Sequence, residues 1–180
     1  MTNATTEPKG SKTQSTQPSP SSYIDPQTPR VLGLDLSLTA AGWAVVVAGS
    51  VTSHGVIKSK EAGMARLIEI SNAVFLLAHE NYIDLAAIEG YSFGSRGDAL
   101  TKLAELGGIV RYRLHEALVP VVEISPGTWR KEVLGKGNLA KDQVRLAAFK
   151  KYGLEIADHN ALEAALIAMC AYRQAQKVAA

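Results

Sequence analysis

Between Val31 and Ser59 the chain runs in short apolar blocks broken by small and polar residues. Beyond Met64 the apolar positions recur at three- and four-residue spacing. The first rhythm predicts three strands, VLGLDLSL (31–38), GWAVVVAG (42–49) and VTSHGVIKS (51–59). Their connections, Thr39–Ala41 and Gly49–Ser50, are so short that the strands must form an antiparallel meander. The second rhythm predicts a helix over 64–82, then a short apolar strand at LAAIE (85–89), a helix over 99–118 and a strand over 119–125. Pro126 ends that strand, and a short helix follows around 128–134. A helix over 141–152 stops at Gly153, a residue suited to a left-handed cap, and a last helix covers about 160–176. This order predicts an α/β protein with a five-stranded mixed sheet flanked by helices: a three-strand antiparallel meander plus two parallel strands reached through helical crossovers.

Residues 1–29 break the pattern. Five of the seven prolines fall there among Ser, Thr and Gln, so the segment has too little apolar surface to offset its ordering entropy. It reads as a disordered leader, with one folded domain over 30–180. The chain of 180 residues is 47% hydrophobic and 20% charged, ordinary for a globular domain with a substantial core. The net charge of +2 says little about partners. A single cysteine, Cys170, excludes an intrachain disulfide and reads as a small buried hydrophobe. No stretch reaches the ~18 apolar residues of a membrane span, and the N-terminus lacks the apolar core of a secretory signal, so a reducing cytoplasmic compartment is expected.

Four acidic positions stand out because each lies in or at the end of an apolar element. Asp35 interrupts the first strand, with Gly33 two residues before it, and Glu89 closes the fourth. Asp158 and Glu163 sit where the polar start of the last segment, DHNALEAALIAMCAY (158–172), becomes an apolar helix. Burying a lone carboxylate in a sheet costs several kcal/mol (about that order) unless it is paired or binds a metal. Acids at the carboxyl ends of strands also lie where open α/β sheets place ligands. On the last helix His159 and Glu163 share a face at i, i+4, and Asn160 and Glu163 adjoin at i, i+3, whereas Asp158 lies before the first turn. Asp158 and Asn160 are also favoured helix-capping types.

The combination of these elements resembles the ribonuclease H-like nuclease fold, and within it RuvC-type Holliday junction resolvases, including divergent phage relatives. VLGLDLSLTAAGWAVV is similar to the family's first strand and hairpin, and IEGYSFGSRGDALTKLAELGG to its second acidic strand, aromatic loop and following helix. ISPGTWRKEVLGKGNLAKDQV is similar to its basic segment and ADHNALEAALIA to its C-terminal acidic helix, so that the resemblance covers about 31–175. It implies that Asp35 and Glu89 are the first two metal ligands. The family's last acid, an aspartate followed by alanine, falls on Glu163–Ala164, a departure by one methylene. The other helix acid falls on Asn160, which is not acidic, and Asp158 takes its place in this reading, with His159 the other candidate.

What the resemblance implies is hydrolysis of phosphodiesters with two Mg²⁺ ions in an all-oxygen site, Mn²⁺ substituting. The substrate would be a four-way DNA junction, cut by a homodimer through paired symmetric nicks in a bacterial or phage-infected cell, with the 99–118 helix as the dimer surface. Between Lys102 and Lys151 there are ten Lys or Arg against five acids, a local excess suited to a phosphate backbone. Arg130, Lys131, Lys136 and Lys141 cluster around a loop punctuated by Gly135 and Gly137 and are the expected phosphate contacts. Tyr91, Phe93 and Arg96 lie in the glycine-rich loop after Glu89, where an aromatic could stack at the junction centre. Trp129 reads as a packing anchor. A nuclease for hybrids or other branched substrates, or a junction-binding module without catalysis, remains open on the same residues.

Overall fold

In a computed structural model, residues 28–90 and 98–179 are described. The expected leader therefore lies almost wholly outside the described residues. So does the loop holding Tyr91, Phe93 and Arg96.

The elements follow in the expected order: β1 (Val31–Asp35), β2 (Ala41–Val47), β3 (Ser50–Ile57), α1 (Gly63–Glu80), β4 (Leu85–Glu89), α2 (Asp98–Glu116), β5 (Val121–Ile124), α3 (Pro126–Trp129), α4 (Lys141–Tyr152) and α5 (His159–Ala179). The strands form one sheet in the order β3-β2-β1-β4-β5. The meander is antiparallel, and β1, β4 and β5 run parallel. No helix among the described residues is long and apolar enough to cross a membrane.

β1 is shorter than expected. It stops at Asp35 because Ser37 turns the chain: its hydroxyl accepts from the Thr39 and Ala40 amides, an alternative to ladder hydrogen bonds. The short helix differs too. Ser125 caps α3 by accepting from Thr128, Pro126 occupies the first turn, and α3 continues directly into a π-helical turn, Arg130–Leu134. Carbonyls freed there find side-chain donors, with Lys151 and Tyr152 both donating to the Val133 oxygen. Gly153 ends α4 in the left-handed conformation, as expected.

Strand alternation divides the interior into two cores. Leu32 and Leu34 of β1 face α1 and α2, packing with Ile70, Val74, Leu106 and Val110. Val31 of β1 and Ala87 of β4 face the other side, where α5 lies with Trp129, Val133 and Val144. On that second side α5 touches the sheet backbone. A Cβ built on Gly33 would stand 2.1 Å from the Ala164 carbonyl oxygen, and one on Gly42 would stand 2.1 Å from the Asn160 oxygen. Asp35 pairs with Gly42 in the β1–β2 register, so these contacts bracket the end of β1. Asn160 adds a hydrogen bond from its side-chain amide to the Ala40 oxygen at 2.6 Å, tying the start of α5 to the loop after Asp35.

Gly33→Ala or Gly42→Ala should therefore lift α5 off the sheet, lowering stability by about 1–3 kcal/mol or more in urea denaturation. Gly108, exposed within α2 with nothing near its Cβ position, supplies the opposite sign. Gly108→Ala should stabilise by about 0.5–1 kcal/mol through helix propensity. Equal effects at all three positions would contradict this packing.

Candidate metal centre

Two adjacent strands and one helix deliver three carboxylates to one point. Asp35 is the last residue of β1 and Glu89 the last of β4, and the parallel register Leu34↔Ile88 sets them side by side at the carboxyl edge. By alternation from Gly33 and Ala87 both side chains point towards α5. Glu163, only 6% exposed, enters from the second turn of α5. One oxygen from each of Asp35, Glu89 and Glu163 lies within 4.8 Å of the others.

The charges resist this proximity. Two ionised carboxylates at that range repel by about 3 kcal/mol at an effective dielectric of about 20. Burial, followed by the charges of Glu89 and Glu163, pushes the Asp35 carboxyl up to about 8, against the opposing pull of Lys141 and Arg130. Burial also raises Glu89, opposed first by a hydrogen bond from Trp129. The Trp129 ring is fully buried, and its Nε1 donates to Glu89 Oε1 at 2.8 Å. Arg130 donates through Nη2 to Glu163 Oε1 at 3.0 Å, and its guanidinium stacks 4.8 Å from the Trp129 ring centre. His159 Nε2 lies 3.4 Å from the same Glu163 oxygen.

Three converging carboxylates form an all-oxygen donor set suited to a hard divalent cation. Asp35 fits that purpose best: burial and the charges of Glu89 and Glu163 disfavour its ionisation, a cost that a bound cation would offset.

Asp158 belongs elsewhere. Its Oδ1 accepts from the Asn160 and Ala161 amides at 2.9 and 3.1 Å, which makes it the N-cap of α5, and it is exposed outside the carboxylate cluster. The expectation that it completes a metal site is corrected accordingly: its direction is set by the free amides of the first helical turn. Asn160 takes a bracing role, and His159 contacts Glu163 without joining the three-residue cluster. Lys131, Lys136 and Lys141 are exposed, Lys141 close enough to the carboxylates to act on Asp35 and Glu89, whereas Arg130 turns inward. Sequence reasoning missed the donor role of Trp129. The available signal was its indole N–H, which needs a partner when buried.

Ionised Asp35 is a liability to the metal-free fold. Its folded-state value of about 8 exceeds the ordinary 3.8, so folding takes up a proton between those values. The resulting penalty is absent below about pH 4, grows through neutrality and is complete above about pH 8. Asp35→Asn should therefore raise the metal-free melting temperature at pH 8.5 and leave it little changed at pH 4. A wild-type stability curve that rises over this interval, with no gain in the variant, would contradict the assignment. Trp129→Phe keeps the packing but removes the hydrogen bond, and should weaken Mn²⁺ binding about tenfold by titration.

The sequence model of the family described as crossover junction endodeoxyribonuclease RuvC matches residues 31–171. A crossover junction endodeoxyribonuclease RuvC from Parvibaculum lavamentivorans is 32% identical over 146 residues, spanning 77% of this chain and 83% of that protein. One from Sorangium cellulosum is 32% identical over 121 residues, spanning 64% of this chain and 68% of that protein. The structure of Thermus thermophilus RuvC in complex with Holliday junction substrate matches with a TM-score of 0.74 at 25% identity, over 83% of this chain and 96% of that one. The fold is thus the ribonuclease H-like arrangement of RuvC, and the chain belongs to the RuvC family of crossover junction endodeoxyribonucleases.

Proposed function

We propose that this protein is a divalent-metal-dependent endonuclease that resolves four-way DNA junctions. The observation that carries the reading is the convergence of Asp35, Glu89 and Glu163 within 4.8 Å at the carboxyl edge of the sheet, in a chain of this family. Those three side chains would hold Mg²⁺, two ions in the full site, with Mn²⁺ able to replace it. Bound there, the metal supplies activation of a water for in-line attack and charge stabilisation for the departing 3′ oxygen.

The chain's own groups do the rest. Trp129 fixes the orientation of Glu89 through its 2.8 Å hydrogen bond. Asn160 holds the loop after Asp35 in place. Lys131, Lys136 and Lys141 form an exposed basic rim for the phosphate backbone, and Lys141 lies near enough to lower both Asp35 and Glu89. Tyr91, Phe93 and Arg96 follow directly after Glu89 in sequence and are the proposed contacts to the junction centre.

A junction of near two-fold symmetry cut on paired strands calls for two copies of the site, so a homodimer acting on cytoplasmic DNA completes the proposal. The proposed surface is the outward face of α2, where Tyr112 is exposed while Leu106, Val110 and Leu114 pack inward. Met64, Ile68 and Leu76, exposed on the neighbouring α1, would add apolar area to it.

The test is cleavage of a labelled synthetic four-way junction beside linear duplex, flap and RNA–DNA hybrid, with Mg²⁺, Mn²⁺, Ca²⁺ or EDTA. Symmetric nicks on the junction in Mg²⁺ or Mn²⁺ alone are expected, and Asp35→Asn should abolish them while retaining junction binding. Preferential cutting of hybrid or flap would reassign the substrate. Metal-independent cutting, or loss of binding and cleavage together in the variant, would contradict the proposed role of Asp35.

A further inference from the structure

Arg130 is placed where a phosphate-binding residue is not expected to point. Its side chain is 23% exposed and gives Nη2 to Glu163 Oε1 at 3.0 Å, while its Nε is buried with no hydrogen-bond partner. A guanidinium carries five N–H donors in a rigid fork, and leaving one buried and unmet is unfavourable. The side chain thus rests in an arrangement that satisfies the acidic centre better than it satisfies itself.

Its carrier is fixed. The π-turn is held by Lys151 and Tyr152 on the Val133 oxygen, by Arg173 on the Glu132 oxygen, and by Gln174 on the Glu132 carboxylate. None of these contacts involves the Arg130 side chain, which pairs with Glu163. Its charge acts on all three acids: it pairs with Glu163, and it opposes the upward shifts of Asp35 and Glu89. A divalent cation entering among these carboxylates meets a positive charge already in residence. The neighbouring Lys131 and nearby Lys136 are exposed, so an Arg130 that swings outward joins a basic rim.

We propose that Arg130 is an internal counter-cation of the acidic centre, displaced from Glu163 by divalent metal and thereby released to grip a DNA phosphate. Metal and DNA binding are then coupled through one side chain, and each must tighten the other by the same factor. Once released, the fork can give the phosphate two parallel hydrogen bonds, one of them from the Arg130 Nε that has no partner while the side chain pairs with Glu163. This inference rests on the metal reading above.

The test uses the full chain and Ca²⁺ at pH 8.5, followed by calorimetry, with thermal melting to establish that each variant folds. Arg130→Met should bind Ca²⁺ about three- to tenfold tighter than wild type in the absence of DNA, while Arg130→Lys, which keeps the charge, stays near wild type. In fluorescence anisotropy with a labelled junction, Ca²⁺ should tighten wild-type binding about tenfold and Arg130→Met binding several-fold less. Should Arg130→Met fail to fold, Arg130→Gln carries the same expectation. Ca²⁺ affinity unchanged or weakened in the charge-removing variant would overturn the proposal and make Arg130 a fixed strut for Glu163. Wild-type protein that binds no Ca²⁺ would overturn the metal reading itself, and this inference with it.

Discussion

The structure depends on a backbone-to-backbone contact between α5 and the sheet. At Gly33 and Gly42 there is no room for a single carbon between strand and helix. An ordinary helix on a sheet is held off by side chains from both layers, but here alanines on α5 meet glycines on β1 and β2. This closeness allows Glu163, in the second turn of the helix, to reach carboxylates that end two strands. Displacing α5 outward by one side-chain layer would leave the same residues with nothing to converge upon.

That contact imposes an electrostatic problem. The carboxylates gather where burial and neighbouring acids raise the Asp35 and Glu89 carboxyls, and Asp35 carries the larger consequence. The surroundings answer only in part. Trp129 gives Glu89 one hydrogen bond, Arg130 gives Glu163 one ion pair, and Lys141 contributes charge without contact. A site built for stability would have paired each acid. Burial and the neighbouring acids hold Asp35 towards its neutral form, a penalty that a bound cation would relieve, and the two hydrophobic cores bear the cost. The π-turn belongs to the same arrangement, because the continuous passage from α3 brings Trp129 and Arg130 in succession onto two different acids.

Much of this was legible in the sequence, for physical reasons that can be named. Periodicity identified every strand and helix because apolar alternation and helical spacing are set by which face is buried, and five strands with parallel β4 and β5 follow from the connections. Asp35 and Glu89 were legible because a charge within a buried strand is costly and needs a reason. The β1 boundary was missed because the apolar run continues to Leu38, and only the Ser37 hydroxyl decides where the ladder ends. Asp158 was misplaced for a related reason: a carboxylate just before a helix can cap it or face a site, and the local amides won. The inward turn of Arg130 and the donor role of Trp129 depend on residues 33 and 40 positions away, which no local pattern encodes.

The most direct measurement is the anomalous difference map of a crystal grown with Mn²⁺. A peak bounded by Asp35, Glu89 and Glu163 is expected, with Asp158 still capping α5 and Trp129 still bonded to Glu89. A peak held by Asp158 away from Asp35, or no peak at any of the three carboxylates at saturating Mn²⁺, would contradict this assignment.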